Sequence, residues 1–121
     1  MKELKESVEA NAFIPRSATL EDWSNKEWTN GVQINALREL DTLFVETEHH
    51  SYKITIIDPN TAEVMIRGGE IFPEASVAQV SGASIGGSFL KLHGIYVGFK
   101  IELRVGRRRI ITSPVRRIAL V

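Results

Sequence analysis

The feature that most constrains this chain is the alternation of apolar and polar residues in short runs that begin near Leu43. Residues 99–105 show it best, with apolar side chains at Phe99, Ile101, Leu103 and Val105 between Lys100, Glu102 and Arg104. Successive side chains of a β-strand point to opposite faces of a sheet, so this period of two predicts strands that bury one face. Turn residues such as Asp-Pro-Asn-Thr at 58–61 separate the runs at intervals of about ten residues.

No long helical pattern lies between these runs, which favours antiparallel pairing because parallel strands need a long crossover connection. The chain has 121 residues, enough for one hydrophobic core. We therefore predict an all-β domain over residues 31–121, a small antiparallel barrel or sandwich of the SH3-like or Greek-key kind with roughly six to eight short strands. Glycines suited to bulges and corner bends cluster in its second half, at positions 82, 86, 87, 94 and 98.

Residues 1–30 differ in amino-acid composition from the rest, since they are polar and poor in β-branched residues. We predict a partly helical extension here, separate from the β domain. It contains both tryptophans of the chain, Trp23 and Trp28. Their side chains either seal one end of the core, where each would bury a large apolar area, or form a short acidic and aromatic interaction segment.

The formal net charge of zero conceals an asymmetry between the two halves of the chain. Residues 1–50 hold ten acidic and five basic residues, whereas residues 51–121 hold five acidic and ten basic residues. From Gly86 onward, eight lysines and arginines stand against the single acid Glu102. Two interpretations stay open: the acidic half neutralises this basic region, within one chain or between subunits, or the region binds an anionic partner.

The basic region centres on two arginine-rich stretches, VGRRRII and VRRI. The guanidinium group forms planar, bidentate pairs with carboxylate and phosphate, and a hairpin tip would hold several such groups clear of the domain. We predict that the surface for an anionic partner or another subunit consists of Arg104, Arg107, Arg108, Arg109, Arg116 and Arg117. Nucleic acid is the alternative partner, although β-barrels that bind single strands usually add exposed aromatic residues, and none follows Phe99.

The sequence offers little for catalysis or metal binding. It has no cysteine, which excludes disulfides, a thiol nucleophile and cysteine-ligated metals. The serines lack the context of a nucleophile elbow, and the glycine-rich stretch at 82–88 lacks the lysine and the helix of a phosphate loop. His49 and His50, close to Glu46 and Glu48, are weak candidates for metal ligands, because adjacent residues on a strand point to opposite faces. We expect no catalytic residue, metal or other cofactor.

The sequence also bears on location. The first residues carry alternating charges where a secretory signal would be apolar, and no apolar run approaches the length that spans a membrane. We expect a cytoplasmic protein with no membrane partner.

Several stretches resemble a known group of proteins. They are LFVETEHHSYKITIID, IRGGEIFPE, GGSFLKLHGIYVG, ELRV and IITSPVRRI. From about residue 31 to the C-terminus, the chain is similar to a group of small, uncharacterised, stand-alone bacterial β-barrel proteins that have no assigned activity. The resemblance implies a compact β fold and supplies no catalytic residues. Residues 1–30 fall outside it.

Together these features predict a non-enzymatic interaction module. It would self-associate as a homo-oligomer or dock to another protein through its arginine-rich face and its N-terminal segment. The alternative is a small nucleic-acid-binding β-barrel that contacts phosphates through the same arginines.

Overall fold

Two parts of the chain, residues 28–85 and 90–121, are described by the computed structural model. They form eleven β-strands and one turn of 3₁₀ helix, Ile34–Ala36. The strands are β1 (Trp28–Thr29), β2 (Gly31–Gln33), β3 (Thr42–Thr47), β4 (Ser51–Asp58), β5 (Glu63–Gly68), β6 (Phe72–Ser84), β7 (Leu90–Leu92), β8 (Gly94–Tyr96), β9 (Lys100–Val105), β10 (Arg108–Ile111) and β11 (Val115–Leu120). All of their pairings are antiparallel, so the predicted all-β, antiparallel class is confirmed.

Eight strands form one continuous ladder in the order β10-β9-β6-β5-β4-β3-β11-β1. β7 pairs with the last part of β6, and β2 and β8 form a separate two-stranded sheet. Seven strands are longer than three residues, and these carry the alternation that the sequence shows. The four shorter strands have too few residues for a period of two to be visible in the sequence.

The sheet is not a closed barrel, so the barrel among the two predicted architectures is wrong in this respect. β10 and β1 stand at the two ends of the ladder and do not pair with each other. β1 pairs along the edge of β11 that β3 leaves free, whereas β10 pairs with β9 alone among the described strands, so no register joins the two ends. The residues just before β9 bond to the first residue of β11: Gly98 N–H donates to Val115 O at 2.8 Å, and Val115 N–H donates to Phe99 O at 2.8 Å.

β6 is the longest strand, and it pairs with different strands along its length. It pairs with β5 up to Gln79, and from Gln79 to Ser84 it pairs with β9. A bulge at Ser81 lies within the second part and shifts its register against β9. Gly82 follows the bulge, and a Cβ atom there would lie 2.2 Å from the carbonyl oxygen of Lys91. Glycine is therefore required at this position for β7 to approach β6.

One hydrophobic cluster fills the inner face of the curved sheet. Its largest fully buried side chains are Ile34, Leu43, Ile54, Ile56, Ile66, Ile95, Ile101, Leu103 and Ile118. Most of these come from alternating positions of the long strands, as the period of two predicts. Burial of this apolar area is the main stabilising contribution to the fold.

The predicted helical extension over residues 1–30 lies mostly outside the described residues. At its end, the backbone of Trp28 pairs with Ala119 and that of Thr29 with Ile118. The described end of the extension is therefore a strand rather than a helix, because β11 offers it an edge of unpaired backbone groups.

Candidate binding surface on the arginine hairpin

Four of the arginines singled out in the sequence lie on one hairpin, which joins β9 to β10 and is called here the arginine hairpin (residues 100–111). Its two-residue turn consists of Gly106 and Arg107. Gly106 has a φ of +61°, which suits the first central position of a type II′ turn. Glycine adopts this conformation without steric penalty, so the local sequence specifies a tight hairpin with arginine at its tip.

The strand period decides where the hairpin side chains point. Leu103 and Ile110 are directly opposite each other and face the core. Arg104 and Arg109, also directly opposite each other, are exposed and face outward. Arg108 is exposed where the hairpin extends past the core. The hairpin therefore projects its positive charges away from the domain, as the sequence predicts.

The hairpin carries more positive charge than its own acid can neutralise. Glu102 accepts a hydrogen bond from the Nη2 group of Arg109 at 3.1 Å and is its ion-pair partner. Within residues 28–85 and 90–121, no ion pair involves Arg104, Arg107 or Arg108. These three guanidinium groups are therefore available to an external anion as far as the described structure extends.

The remaining two arginines, Arg116 and Arg117, lie apart from the hairpin on β11. A bulge between Val115 and Arg117 interrupts the alternation, so two consecutive arginines are both exposed. Arg117 is opposite Glu46 of β3, and its Nε donates a hydrogen bond of 2.7 Å to that carboxylate. These residues line a shallow groove of about 320 Å³ together with Thr47 and Glu48. The six predicted residues thus fall into two separate groups.

The outer edge of β10 is open within the described structure, where β9 is the only strand paired with it. Thr112 N–H donates to Ile101 O at 3.0 Å, which sets the alternation of hydrogen bonds along this pair. By that alternation, Arg109 and Ile111 direct their backbone N–H and C=O groups away from β9. An exposed strand edge of this kind attracts other extended chains unless charge or cover prevents it.

A second feature, which the sequence analysis did not predict, is a row of charged residues across the outer face of the sheet. Register places five residues side by side on five neighbouring strands: Asp58, Glu63, Gln79, Arg104 and Arg109. A shallow groove of about 460 Å³ over this row is lined by four of them, together with Thr61, Val77, Ala78 and Gly106. The row is acidic at its β4 end and basic at its β10 end. No sequence signal marks it, because its members come from five separate strands.

The candidate metal ligands lie in the turn between β3 and β4. Nε2 of His49 is 3.6 Å from a carboxylate oxygen of Glu48 and is exposed, whereas the ring of His50 lies 6.3 Å from that of Tyr52. Among the described residues, no group of three potential ligands comes together.

Burial raises the pKa of the Tyr52 hydroxyl above its ordinary value. Tyr52 belongs to the hydrophobic core.

The tryptophans of the predicted interaction segment can be placed only in part. Trp28 contributes its backbone to β1. Trp23 lies outside the described residues. The interaction segment therefore stays a prediction.

Comparisons with protein-family models, curated proteins and solved structures found no match to this chain. A search of the described residues for a helix long and apolar enough to cross a membrane also found none. The functional interpretation therefore rests on the geometry and charge of the arginine hairpin and of the charged row.

Proposed function

We propose that this protein is a non-enzymatic binding module that docks an acidic protein surface through its arginine hairpin. The observation that carries the proposal is the imbalance of charge on the hairpin. Four arginines stand on or beside its turn, and Glu102 is the single acid among residues 100–111. Repulsion between the directly opposed Arg104 and Arg109 opposes folding, and an external carboxylate would relieve it.

The hairpin presents these charges in a form suited to carboxylates. Each guanidinium group can donate two parallel hydrogen bonds to one carboxylate. Leu103 and Ile110 fix the two strands to the core, so the arginine backbones are held before the partner arrives. Preorganisation of this kind lowers the entropy lost on binding.

Binding to poly-glutamate, an acidic polypeptide without structure of its own, tests the proposal directly. Replacing Arg104 and Arg108 together by alanine is expected to weaken the affinity about tenfold, since each exposed ion pair contributes up to about 1 kcal/mol. The matched control replaces Arg38 and Arg67, two exposed arginines outside the predicted surface. If the arginines only protect the edge of β10 from other strands, the two double variants will bind poly-glutamate equally well.

The alternative function is nucleic-acid binding, which the same four arginines favour because phosphate oxygens accept the same hydrogen bonds. Titration with a single-stranded oligonucleotide at several salt concentrations separates the two. Phosphate binding predicts a logarithm of affinity that falls by about 0.7 per neutralised phosphate for each tenfold rise in salt, and a loss on changing Arg104 and Arg108. Oligonucleotide affinity that exceeds that for poly-glutamate and depends on these arginines would favour the nucleic-acid function.

A further inference from the structure

The charged row on the outer face is complementary to itself: when the row is read in the reverse direction, every acid is replaced by a base and every base by an acid. From β4 to β10 its members are acid, acid, neutral, base and base: Asp58, Glu63, Gln79, Arg104 and Arg109. Neighbouring strands are about 4.8 Å apart, so the row is about 19 Å long from end to end. A second copy turned by half a revolution about Gln79 would place its bases over these acids and its acids over these bases.

Pairing of opposite charges along the row does not occur inside one chain. Glu63 and Arg104 both stand beside Gln79, on either side of β6, and are therefore about 10 Å apart. Within the described part of the chain, neither residue forms an ion pair. Gln79 stays between them because its Nε2 group donates a hydrogen bond of 2.8 Å to Thr61 O. A second copy would supply each of these two charges with the opposite charge that neither has among residues 28–85 and 90–121.

An apolar side chain lies close to the centre of the row. Val77 precedes Gln79 by two residues on β6, so both face outward, and Val77 is 50% exposed. It stands opposite Met65 of β5, which is partly buried. A two-fold axis near Gln79 would bring Val77 close to its equivalent in the other copy. Stable interfaces commonly combine such an apolar centre with a charged rim.

We propose that the outer face of this sheet is an isologous dimer interface in which Glu63 of each copy pairs with Arg104 of the other across the shallow groove. A two-fold axis requires a self-complementary surface, and the row meets this condition in charge and in spacing. Asp58 and Arg109 form a weaker outer pair, because Asp58 already accepts a hydrogen bond from Asn60 N–H and Arg109 is already paired with Glu102. The inference rests on the proposed function, because it identifies the acidic surface that the hairpin docks as the face of a second copy.

Charge reversal tests this interface in the full-length chain by sedimentation or light scattering at low and high salt. The wild-type protein is expected to have twice the mass of one chain at low salt and to dissociate as salt rises. Glu63→Arg and Arg104→Glu are each expected to weaken the dimer about tenfold or more, because like charges then face each other. The same change in charge at exposed sites outside the row, Glu74→Arg and Arg67→Glu, provides the controls.

Mixing the two single variants gives the sharpest result. In a mixed dimer every reversed charge faces its opposite, so an equimolar mixture is expected to associate although neither variant does so alone. The chain that carries both reversals is expected to dimerise like the wild type. Recovery of this kind cannot come from misfolding of either variant.

Three outcomes would overturn the dimer: a wild-type protein that is monomeric at low salt, single variants that dimerise as well as the controls, or a mixture that fails to associate. Poly-glutamate binding separates this failure from failure of the proposed function. A monomer whose poly-glutamate affinity falls on changing Arg104 and Arg108 overturns the dimer and leaves the hairpin as a docking surface. A monomer without that affinity overturns both.

Discussion

The arginine hairpin and the ladder between β3 and β11 both present exposed arginines above a buried aliphatic row, yet they use them differently. In the hairpin, Arg104 is directly opposite Arg109, so like charges meet. In the other ladder, Arg117 is directly opposite Glu46, and the two are joined at 2.7 Å. Arg117 finds its partner directly across the strand, Arg109 finds Glu102 diagonally, and Arg104 has no ion-pair partner among the described residues.

The difference follows from strand order. β11 lies between β3 and β1, where the acidic first half of the chain supplies its neighbours. β10 stands at the end of the ladder, beside a strand that has one acid of its own. Among the described residues, an acid of the first half therefore compensates Arg117, whereas in the hairpin Glu102 compensates Arg109 alone.

The largest expected effect tests whether the two regions are anchored equally well in the hydrophobic core. Leu103 under the hairpin and Ile118 under the other ladder are both fully buried. Changing either to alanine removes packed methyl and methylene groups, so each is expected to lower the free energy of unfolding by about 2–5 kcal/mol. Urea denaturation provides the measurement. A loss below about 1 kcal/mol at Leu103 alone would show that the hairpin is not anchored like the β3–β11 ladder.

A smaller effect tests the connection between the two regions. The hydroxyl of Thr112 is buried, accepts a hydrogen bond from Ile101 N–H at 3.0 Å and donates one to Ser113 O at 2.8 Å. Thr112→Val leaves both backbone groups without these partners, so the free energy of unfolding is expected to fall by about 1–3 kcal/mol. Thr112→Ser keeps the hydroxyl and serves as the control. Equal loss in both variants would assign the effect to packing of the methyl group.

The smallest effect tests the comparison itself, because the same change should have opposite signs in the two regions. Arg117→Gln breaks the pair with Glu46 and is expected to lower stability by about 0.2–1 kcal/mol. Arg104→Gln relieves the repulsion from Arg109 and is expected to raise stability by a few tenths of a kcal/mol. Both changes should shrink as salt increases. Thermal unfolding at low and high salt measures them, and equal signs would remove the distinction between the two groups of arginines.

Part of this arrangement could be predicted from the sequence. The alternation in residues 99–105 correctly assigns Leu103 to the core and Arg104 to the surface, and Gly106 marks the turn. The consecutive exposure of Arg116 and Arg117 could not be derived in this way, because a bulge breaks the period. The choice between a barrel and a sandwich could not be made from the sequence, since a local pattern does not report whether the first and last strands meet, and the sheet is not a closed barrel.

The sequence by itself determined the longer strands, the buried faces of their regular stretches and the concentration of arginine near one turn. These are local properties, because side-chain direction along a strand depends only on the backbone conformation of neighbouring residues. Only the tertiary structure decided that Glu46 neutralises Arg117, and that Glu63 and Arg104 stand on either side of Gln79. Such neighbours depend on strand order and register, which arise from packing the whole set of apolar faces into one core.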